Sequence, residues 1–314
     1  MDELKLKNFY ESQQLSVPLI YNLFKEADFF KDSCKKRNLK NHWLLKGKIL
    51  ATLFYEPSTR TRFSFECAMT RLGGSIIGTE NAREFSSAVK GESIEDTIRV
   101  VDNYSDCIVI RHYEEGAAKK AASVSSVPII NAGDGRGQHP TQSLLDIYTI
   151  QNEIGRLDNL KIALIGDLAN GRTARSFCYL LGKFKNNNLT FISPTNLRMG
   201  TDIKHYLQMH KTKFNEEPDL RKIISDVDVI YMTRIQKERM TRKEYRKAQG
   251  QFILNLDDLI LLKKEARILH PLPKVDEIQL PIEVEQEDPR IAYFRQAENG
   301  LYIRMALLHH LLGE

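Results

Sequence analysis

Arginine and hydroxyl side chains are interleaved over residues 58–62, inside the stretch LFYEPSTRTRFSFECAMTRLGG that covers residues 53–74. An apolar run precedes them, and Pro57 is expected to end a strand because it lacks a backbone N–H group. Ser58 is then placed to cap a helix, whose first N–H groups have no partner within the helix. Free N–H groups, hydroxyls and guanidinium groups together favour binding of a phosphate or a similar dianion. An ordinary capped helix with solvated arginines is the structural alternative.

Other polar residues follow the carboxyl ends of further predicted strands in the same way. They are Arg111, His139, Arg172, Arg234 with Gln236, and the His-Pro-Leu-Pro run that begins at His270. In an open parallel sheet, ligands bind outside the carboxyl ends of the strands. One residue at such an edge is weak evidence, but six polar clusters are hard to attribute to chance. The sequence therefore predicts ligand binding at these strand ends.

The residue types in these clusters favour chemistry in which negative charge develops on oxygen. They supply cations, hydroxyls, a histidine and Gln142, but no carboxylate pair, no cysteine–histidine nucleophile and no spacing typical of a metal site. GDLANG and GDGRG differ from the dinucleotide fingerprint, and the sequence has no nucleotide-binding P-loop. We therefore expect no cofactor and no metal. Acyl transfer from an acyl phosphate to an amine fits, because cations stabilise both the oxyanion and the departing phosphate.

The elements that must position these residues are short apolar strands that alternate with helices. Runs such as KILATLFYE, DCIVIRH and NLKIALIGD are typical of buried strands, and a helical pattern follows each. This alternation predicts parallel sheets covered by helices. Residues 1–47 are predicted to be helical and amphipathic. A polar segment at 150–159 interrupts the alternation, so we expect two α/β domains that are joined there.

The overall composition is that of a soluble globular protein. Of 314 residues, 42% are hydrophobic and 28% are charged, and 46 basic residues balance 41 acidic ones for a net charge of +5. The charges are spread along the chain, and no window resembles a membrane span or a signal peptide. We therefore expect neither nucleic-acid nor membrane binding. The four cysteines lie far apart, which predicts a reducing compartment and a cytoplasmic location.

Six motifs together resemble the aspartate/ornithine carbamoyltransferase family. They are FYEPSTRTRFSFECAMTRLGG, NAGDGRGQHPTQSLLDIYTI, GDLANGRTARS, YMTRIQKER, LHPLPKVDEI and YFRQAENGLYIRMALL. The resemblance implies two Rossmann-like α/β domains, each a mainly parallel sheet flanked by helices, with the active site in the cleft between them. Residues 1–150, completed by a C-terminal helix at about 296–314, would bind carbamoyl phosphate, and residues 151–295 would bind aspartate.

The resemblance also implies a set of residues for carbamoyl phosphate: Ser58, Thr59, Arg60, Thr61, Ser86, Lys90, Arg111, His139, Gln142, Pro271, Leu272 and Pro273. Arg60, Thr61 and Arg111 would bind phosphate and carbonyl oxygens. His139 would donate a hydrogen bond to the carbamoyl oxygen and so polarise it for attack. Together with Lys90, these four form the implied catalytic set.

The carbamoyl amino group and the second substrate would be bound by other parts of the family motifs. Gln142 and the backbone carbonyls of the Pro271–Leu272 segment would accept hydrogen bonds from the amino group. Aspartate brings two carboxylates, which Arg172, Arg234 and Gln236 would bind together with Lys90. The implied reaction transfers the carbamoyl group to the amino group of L-aspartate, a step of pyrimidine synthesis.

Within the family, the motifs are closer to the aspartate enzymes than to the ornithine enzymes. Ornithine enzymes typically have HPCQ, HCLP and an SMG-type loop, where this chain has HPTQ, HPLP and TRIQ. The physical chemistry agrees, because ornithine brings a second amine, which an arginine at position 234 would repel. The match around Glu244 and Tyr245, where a loop closes over aspartate, is looser.

The segment around Ser86 and Lys90 has an open interpretation from composition alone: it is either a mobile phosphate-reaching flap or a solvated linker. In the family this loop reaches the active site of a neighbouring subunit, which implies a homotrimer with shared active sites. Val89 replaces a lysine found in some relatives and alters the charge of the loop. A regulatory chain or another enzyme of the pathway is a possible further partner.

Two alternative functions remain at this point. The first is a carbamoyltransferase for a different amino acid, such as ornithine, which would keep everything except the aspartate-binding residues. The second is a non-catalytic anion-binding or nucleic-acid-binding protein on the same fold. It would require disrupted site residues or a concentrated basic face with exposed aromatic side chains, and the sequence has neither feature.

Overall fold

The computed structural model describes residues 4–36, 43–237, 240–248, 250 and 252–313. The chain folds into two compact units. One comprises Met1–Leu145 together with Glu298–Glu314, and the other comprises Asp146–Ala297. Each unit contains its own sheet, and every strand pair in the described ranges is parallel. The prediction of two parallel-sheet α/β domains flanked by helices is confirmed.

The first unit has four strands, β1 (Ile49–Phe54), β2 (Ser75–Glu80), β3 (Cys107–His112) and β4 (Ile129–Asp134). They are arranged in the order β2-β1-β3-β4. The helices that begin and end in this unit are α1 (Val17–Lys35), α2 (Thr59–Arg71), α3 (Ala82–Phe85), α4 (Ile94–Val101) and α5 (Ala117–Val124). Helix α6 (Pro140–Ile154) starts in the first unit and ends in the second.

The second unit has five strands, β5 (Lys161–Ile165), β6 (Asn188–Ile192), β7 (Lys213–Glu216), β8 (Val229–Met232) and β9 (Arg267–Leu269), in the order β7-β6-β5-β8-β9. Its helices are α7 (Arg172–Leu181), α8 (Thr201–Met209), α9 (Arg242–Ala248), α10 (Leu256–Leu261) and α11 (Ile282–Glu287). Helix α12 (Tyr293–Leu312) returns the chain to the first unit.

Most strands of both sheets are buried along almost their whole length. Strand β4 is fully buried, and β1, β3, β5 and β8 have at most one residue that is not. Burial on both faces explains why the sequences of these strands are continuous apolar runs, rather than an alternation of apolar and polar residues. The sheets are therefore rigid supports, and the polar residues stand where the strands end.

The amino-terminal region differs from the predicted helix over residues 1–47. Helix α1 begins after Ser16, whose hydroxyl accepts a hydrogen bond from a backbone N–H group of the first turn. The chain before it runs alongside β4, where Phe9 forms a parallel bridge with Ile130. Residues 37–42 lie outside the described ranges. A proline in the first turn fixes the start of α1, which amphipathic periodicity alone did not locate.

All four cysteines are free thiols. Burial raises the pKa of the Cys107 and Cys178 thiols, so neither is suited to act as a thiolate nucleophile. Across the part of the chain that the structure describes, every helix is too short or too polar to span a bilayer.

Candidate active site

In the first unit, the predicted site residues follow three neighbouring strands. The register aligns Phe54 at the end of β1 with Arg111 of β3, and it pairs His112 with Asp134 at the end of β4. The start of α2 follows β1, and His139 follows β4. The structure therefore brings these residues to one carboxyl edge, where parallel α/β sheets bind ligands.

The start of α2 presents hydroxyl groups and one arginine. Ser58 is the N-cap residue and has an extended backbone (φ −161°, ψ 93°). Among the described residues, its hydroxyl makes no capping hydrogen bond with a backbone N–H group of the helix. Thr59 and Arg60 are exposed, whereas Thr61 is buried. The first-turn N–H groups and the helix dipole favour an anion here. This arrangement supports the predicted phosphate site.

The second arginine of this turn has a structural role instead. Arg62 Nε lies 2.7 Å from Glu66 Oε1, and its Nη1 lies 2.8 Å from Glu80 Oε2. The hydrogen bond to Glu66 raises the pKa of Arg62 further. The sequence-based expectation that both guanidinium groups of this turn bind the anion is therefore wrong for Arg62, because two carboxylates already hold it.

Arg111 is anchored to both neighbouring strand ends. Its Nη1 donates a hydrogen bond to the Ala132 carbonyl oxygen of β4 at 3.2 Å, and its Nη2 lies 3.6 Å from Glu56 Oε2 after β1. Only 16% of the Arg111 side chain is exposed. A guanidinium held in this way needs little reorganisation to stabilise charge on a substrate.

His139 is the residue immediately before α6. Its carbonyl oxygen accepts hydrogen bonds from the N–H groups of Gln142 and Ser143, at 3.0 and 3.2 Å. Its ring Nδ1 lies 3.4 Å from the Thr141 hydroxyl oxygen, and both His139 and Gln142 are buried. The first turn of α6 therefore places His139 and Gln142, the residues that the sequence predicts for the carbamoyl group, close together.

Asp134 organises the turn that places His139, and the sequence analysis missed it. Its Oδ1 accepts hydrogen bonds from the Gln138 N–H group (2.9 Å) and the Asn131 side chain (3.0 Å), and its Oδ2 accepts one from the Gly116 N–H group (2.8 Å). An aspartate between a strand and a Gly-x-Gly turn is the signal that would have identified this role.

His112 makes the stability of this edge depend on pH. Its Nδ1 accepts a hydrogen bond from the Glu114 N–H group at 3.0 Å, which requires that nitrogen to be unprotonated. Burial lowers the pKa of His112, and the nearby carboxylates of Glu114, Glu56 and Asp134 only partly oppose this.

Because the folded state prefers neutral His112, the unfolded state binds more protons between the two pKa values. The stability that neutral His112 contributes to the folded state is fully present above its unfolded-state pKa of about 6.5. This contribution is lost as the pH falls below that value. We expect His112→Asn, whose amide oxygen can also accept from the Glu114 N–H group, to flatten the dependence of unfolding free energy on pH between about 7 and 5. Urea unfolding at a series of pH values measures this, and parallel curves for the two proteins would contradict the assignment.

The segment after β2 is a folded loop with an exposed lysine. It contains α3 and a short 3-10 helix, Ser87–Lys90, which ends at Gly91 in left-handed backbone (φ 88°). The Ser86 hydroxyl donates to the Ala82 carbonyl oxygen at 2.5 Å and accepts from the Ala88 N–H group at 3.2 Å. Within the described first unit, Lys90 is an exposed side chain on this loop.

The second unit repeats the arrangement on its own sheet. The register pairs Ile165 of β5 with Met232 of β8, and Tyr231 of β8 with Leu269 of β9. These three neighbouring strands therefore end at the same edge. The predicted aspartate-binding residues and the His-Pro-Leu-Pro segment follow them.

Arg172 is the first residue of α7, and only 6% of it is exposed. The helix dipole disfavours a cation at a helix amino terminus. A buried arginine at this position fits the predicted role of Arg172 in binding a carboxylate of aspartate.

Arg234 lines a pocket of about 380 Å³ in the second unit. Thr233, Ile235, Lys237 and Tyr245 contribute to the same wall, and Lys237 Nζ lies 5.8 Å from the centre of the Tyr245 ring. Apolar groups form more of the lining than polar ones, and its cations, Arg234 and Lys237, are balanced by the carboxylates of Asp276 and Glu277. Gln236, two residues after Arg234, is partly buried.

Gly166 allows β5 and β8 to approach closely beside this pocket. It has φ +113°, and a Cβ atom there would lie 2.0 Å from the Thr233 carbonyl oxygen. We expect Gly166→Ala to lower the free energy of unfolding by roughly 3 kcal/mol or more, from overpacking and backbone strain together.

Gly155 provides the matched control, because it also has a positive φ of +85° but nothing within 4 Å of the added Cβ. Gly155→Ala should cost only about 1 kcal/mol. Urea unfolding measures both losses, and equal losses would show that the close approach at Thr233 has no energetic consequence.

The two edges define a class of enzyme: a two-unit α/β protein that handles anionic substrates through arginines, hydroxyls and a histidine. The chain belongs to the aspartate/ornithine carbamoyltransferase family. The carbamoyl-P binding domain of that family matches residues 7–152, and its Asp/Orn binding domain matches residues 158–311.

Individual relatives cover almost the whole chain. Chloroplastic aspartate carbamoyltransferase 1 of Pisum sativum is 53% identical over 312 residues, which is 99% of this chain and 80% of the relative. The aspartate transcarbamoylase catalytic subunit of M. jannaschii is 46% identical, with a TM-score of 0.88 over 98% of each chain. The Trypanosoma cruzi aspartate transcarbamoylase in complex with carbamoyl phosphate and aspartate is 38% identical, with a TM-score of 0.90 over 99% of this chain and 98% of the other.

Proposed function

We propose that this protein transfers the carbamoyl group of carbamoyl phosphate to the amino group of L-aspartate, giving N-carbamoyl-L-aspartate and phosphate. The observation that carries the proposal is the placement of Arg111, His139 and the start of α2 on one strand edge, with Arg172 and Arg234 after strands of the second sheet. These residues lie within the sequence motifs that resemble those of the family, and the family's two domains match the segments that contain them.

Each group has a chemical task in this reaction. Arg60, Thr61 and Arg111 bind the phosphate and stabilise the charge that builds up as it departs. His139 donates a hydrogen bond to the carbamoyl oxygen, which becomes an oxyanion when the amine attacks. The new carbon–nitrogen bond forms, the carbon–oxygen bond to phosphate breaks, and the departing phosphate accepts the proton of the amine.

Arginine at position 234 supports aspartate as the acceptor. A guanidinium pairs with the carboxylates that aspartate brings and repels the second ammonium group of ornithine. Assays of the purified chain with carbamoyl phosphate and either amino acid test this directly. We expect carbamoyl aspartate to form and citrulline not to form, and the reverse preference would refute the substrate assignment.

We further propose a homotrimer in which Ser86 and Lys90 complete the site of a neighbouring subunit. Two apolar side chains next to them in the chain, Phe85 (76%) and Val89 (63%), are largely exposed. Exposed apolar side chains on one loop support a protein interface.

Hybrid trimers test the shared site. A Lys90→Ala subunit and an Arg60→Ala subunit are each expected to be inactive alone, because each lacks one part of every site. In mixed trimers, some sites combine an intact Arg60 from one subunit with an intact Lys90 from its neighbour, so activity should reappear. No recovery in mixtures with the mass of a trimer would argue against sharing.

A regulatory partner and a cytoplasmic location stay predictions. The four free cysteines support a reducing compartment, whereas the relatives from plants are named as chloroplastic.

A further inference from the structure

The segment after β9 is organised by a buried histidine. His270 is 1% exposed, and both ring nitrogens have partners. Nδ1 lies 2.8 Å from the Leu272 backbone nitrogen, and Nε2 lies 2.8 Å from Glu277 Oε1. A backbone N–H group can only donate, so Nδ1 is the acceptor and carries no proton. Nε2 therefore holds the ring proton and donates a hydrogen bond to Glu277.

Further hydrogen bonds fix this histidine and its partner. Glu277 Oε1 also accepts one from the Val275 N–H group at 3.0 Å. The His270 N–H group donates to Gln296 Oε1 at 2.8 Å, and Gln296 Nε2 donates to Asp146 Oδ1 at 2.6 Å. His270, Gln296 and Asp146 are almost fully buried. Buried networks with satisfied partners hold their members in one arrangement.

The histidine in turn sets the direction of one peptide group. The Pro271–Leu272 peptide is trans, so its N–H and C=O groups point in opposite directions. The Leu272 N–H group points at His270 Nδ1, and the Pro271 carbonyl therefore points away from the ring. Leu272 has left-handed backbone (φ 55°), which is unfavourable for a non-glycine residue. The hydrogen bond to His270 helps to maintain that conformation.

We propose that His270 and Glu277 are positioning residues that hold the Pro271 carbonyl as the acceptor for the amino group of carbamoyl phosphate. Glu277 fixes the tautomer of His270, and His270 fixes the peptide. The pair thereby selects an acyl phosphate with an amino group over acetyl phosphate, whose methyl group cannot donate. A site built to accept an N–H group discriminates against an analogue without it, because its acceptor is then left unpaired. This inference rests on the proposed function.

Two amide substitutions at position 270 distinguish a positioning role of His270 from a packing role. In His270→Asn, the amide oxygen can still accept from the N–H group two residues later, as asparagine does in turns. In His270→Gln, the longer side chain reaches the place of Nε2 beside Glu277 but provides no acceptor at the place of Nδ1. Glu277→Leu is a third variant, which removes the group that fixes the tautomer.

The measurement is the affinity of the full chain for carbamoyl phosphate, acetyl phosphate and inorganic phosphate, by calorimetry without aspartate. We expect the preference for carbamoyl over acetyl phosphate to fall roughly tenfold in His270→Gln and Glu277→Leu, and to stay near the wild-type value in His270→Asn. Affinity for inorganic phosphate should change little in all three, because phosphate lacks the amino group.

Three results would overturn the inference. The first is an unchanged preference in His270→Gln and Glu277→Leu. The second is an equal loss in His270→Asn and His270→Gln, and the third is a loss that affects inorganic phosphate equally. If the wild-type chain forms carbamoyl aspartate but the variants keep the preference, this inference alone fails. If the wild-type chain neither binds carbamoyl phosphate nor transfers the group, the proposed function fails and the inference fails with it.

Discussion

Replacing Arg60 by alanine is expected to lower kcat/KM for carbamoyl phosphate by about 10²- to 10³-fold, the usual loss when one preorganised donor to a developing anion is removed. Arg60 lies in the first turn of α2, where helix N–H groups already favour an anion. Its side chain is exposed, so the substitution should leave the free energy of unfolding nearly unchanged. Steady-state kinetics and urea unfolding of the same preparation measure both quantities.

Arg62→Ala is the matched control, because Arg62 lies two residues further along the same helix. It is held by Glu66 and Glu80, and its side chain is 22% exposed. Removing a mostly surface ion pair costs up to about 1 kcal/mol. We expect this loss of stability with little change in kcat/KM. Equal losses of activity in the two variants would mean that the anion site depends on general positive charge rather than on Arg60.

Replacing Arg234 by alanine is expected to raise the KM for aspartate by about 10²-fold or more, as when one partner of a desolvated ion pair is removed. Arg234 lines the pocket of the second unit, and a carboxylate bound there would lose its guanidinium partner. The affinity for carbamoyl phosphate, measured by calorimetry without aspartate, should be nearly unchanged. Unchanged aspartate saturation would remove Arg234 from the binding site.

Arg175→Ala is the control for this second prediction. Arg175 is also an arginine of the second unit, but it pairs with Asp202, with Nη1 3.3 Å from Oδ1. Loss of this pair should affect stability slightly and leave the KM for aspartate unchanged. A similar rise of KM in both variants would indicate that the overall charge of the unit, rather than a specific arginine, attracts aspartate.

The location of the candidate site could be predicted because it follows from the strand pattern. Apolar runs identified the inner strands, and parallel strands bring their carboxyl ends to one edge. The strand pattern predicts edge positions for Arg111, His139, Arg234 and His270, and the strand registers put them at those edges. Local chemistry and chain order were sufficient for these positions.

Contacts between distant segments could not be predicted. Arg62 is paired with Glu80, 18 residues further along the chain, and of its two carboxylate partners only Glu66, four residues later on the same helix, is visible in the local sequence. The contact of His270 with Gln296, 26 residues away, likewise depends on how α12 packs in the second unit. Such pairings are decided by tertiary packing, which single-sequence periodicity does not contain.

The proposed reaction requires Arg60 to bind carbamoyl phosphate and Arg234 to bind aspartate. A bisubstrate phosphonate, in which a phosphonate is joined covalently to aspartate, tests this requirement by calorimetric titration of the wild-type, Arg60→Ala and Arg234→Ala proteins. We expect one ligand per chain for the wild type and a loss of at least about 10²-fold in affinity for each variant. Wild-type affinity in either variant would refute the proposal, because the ligand would then be bound without one of the two required arginines.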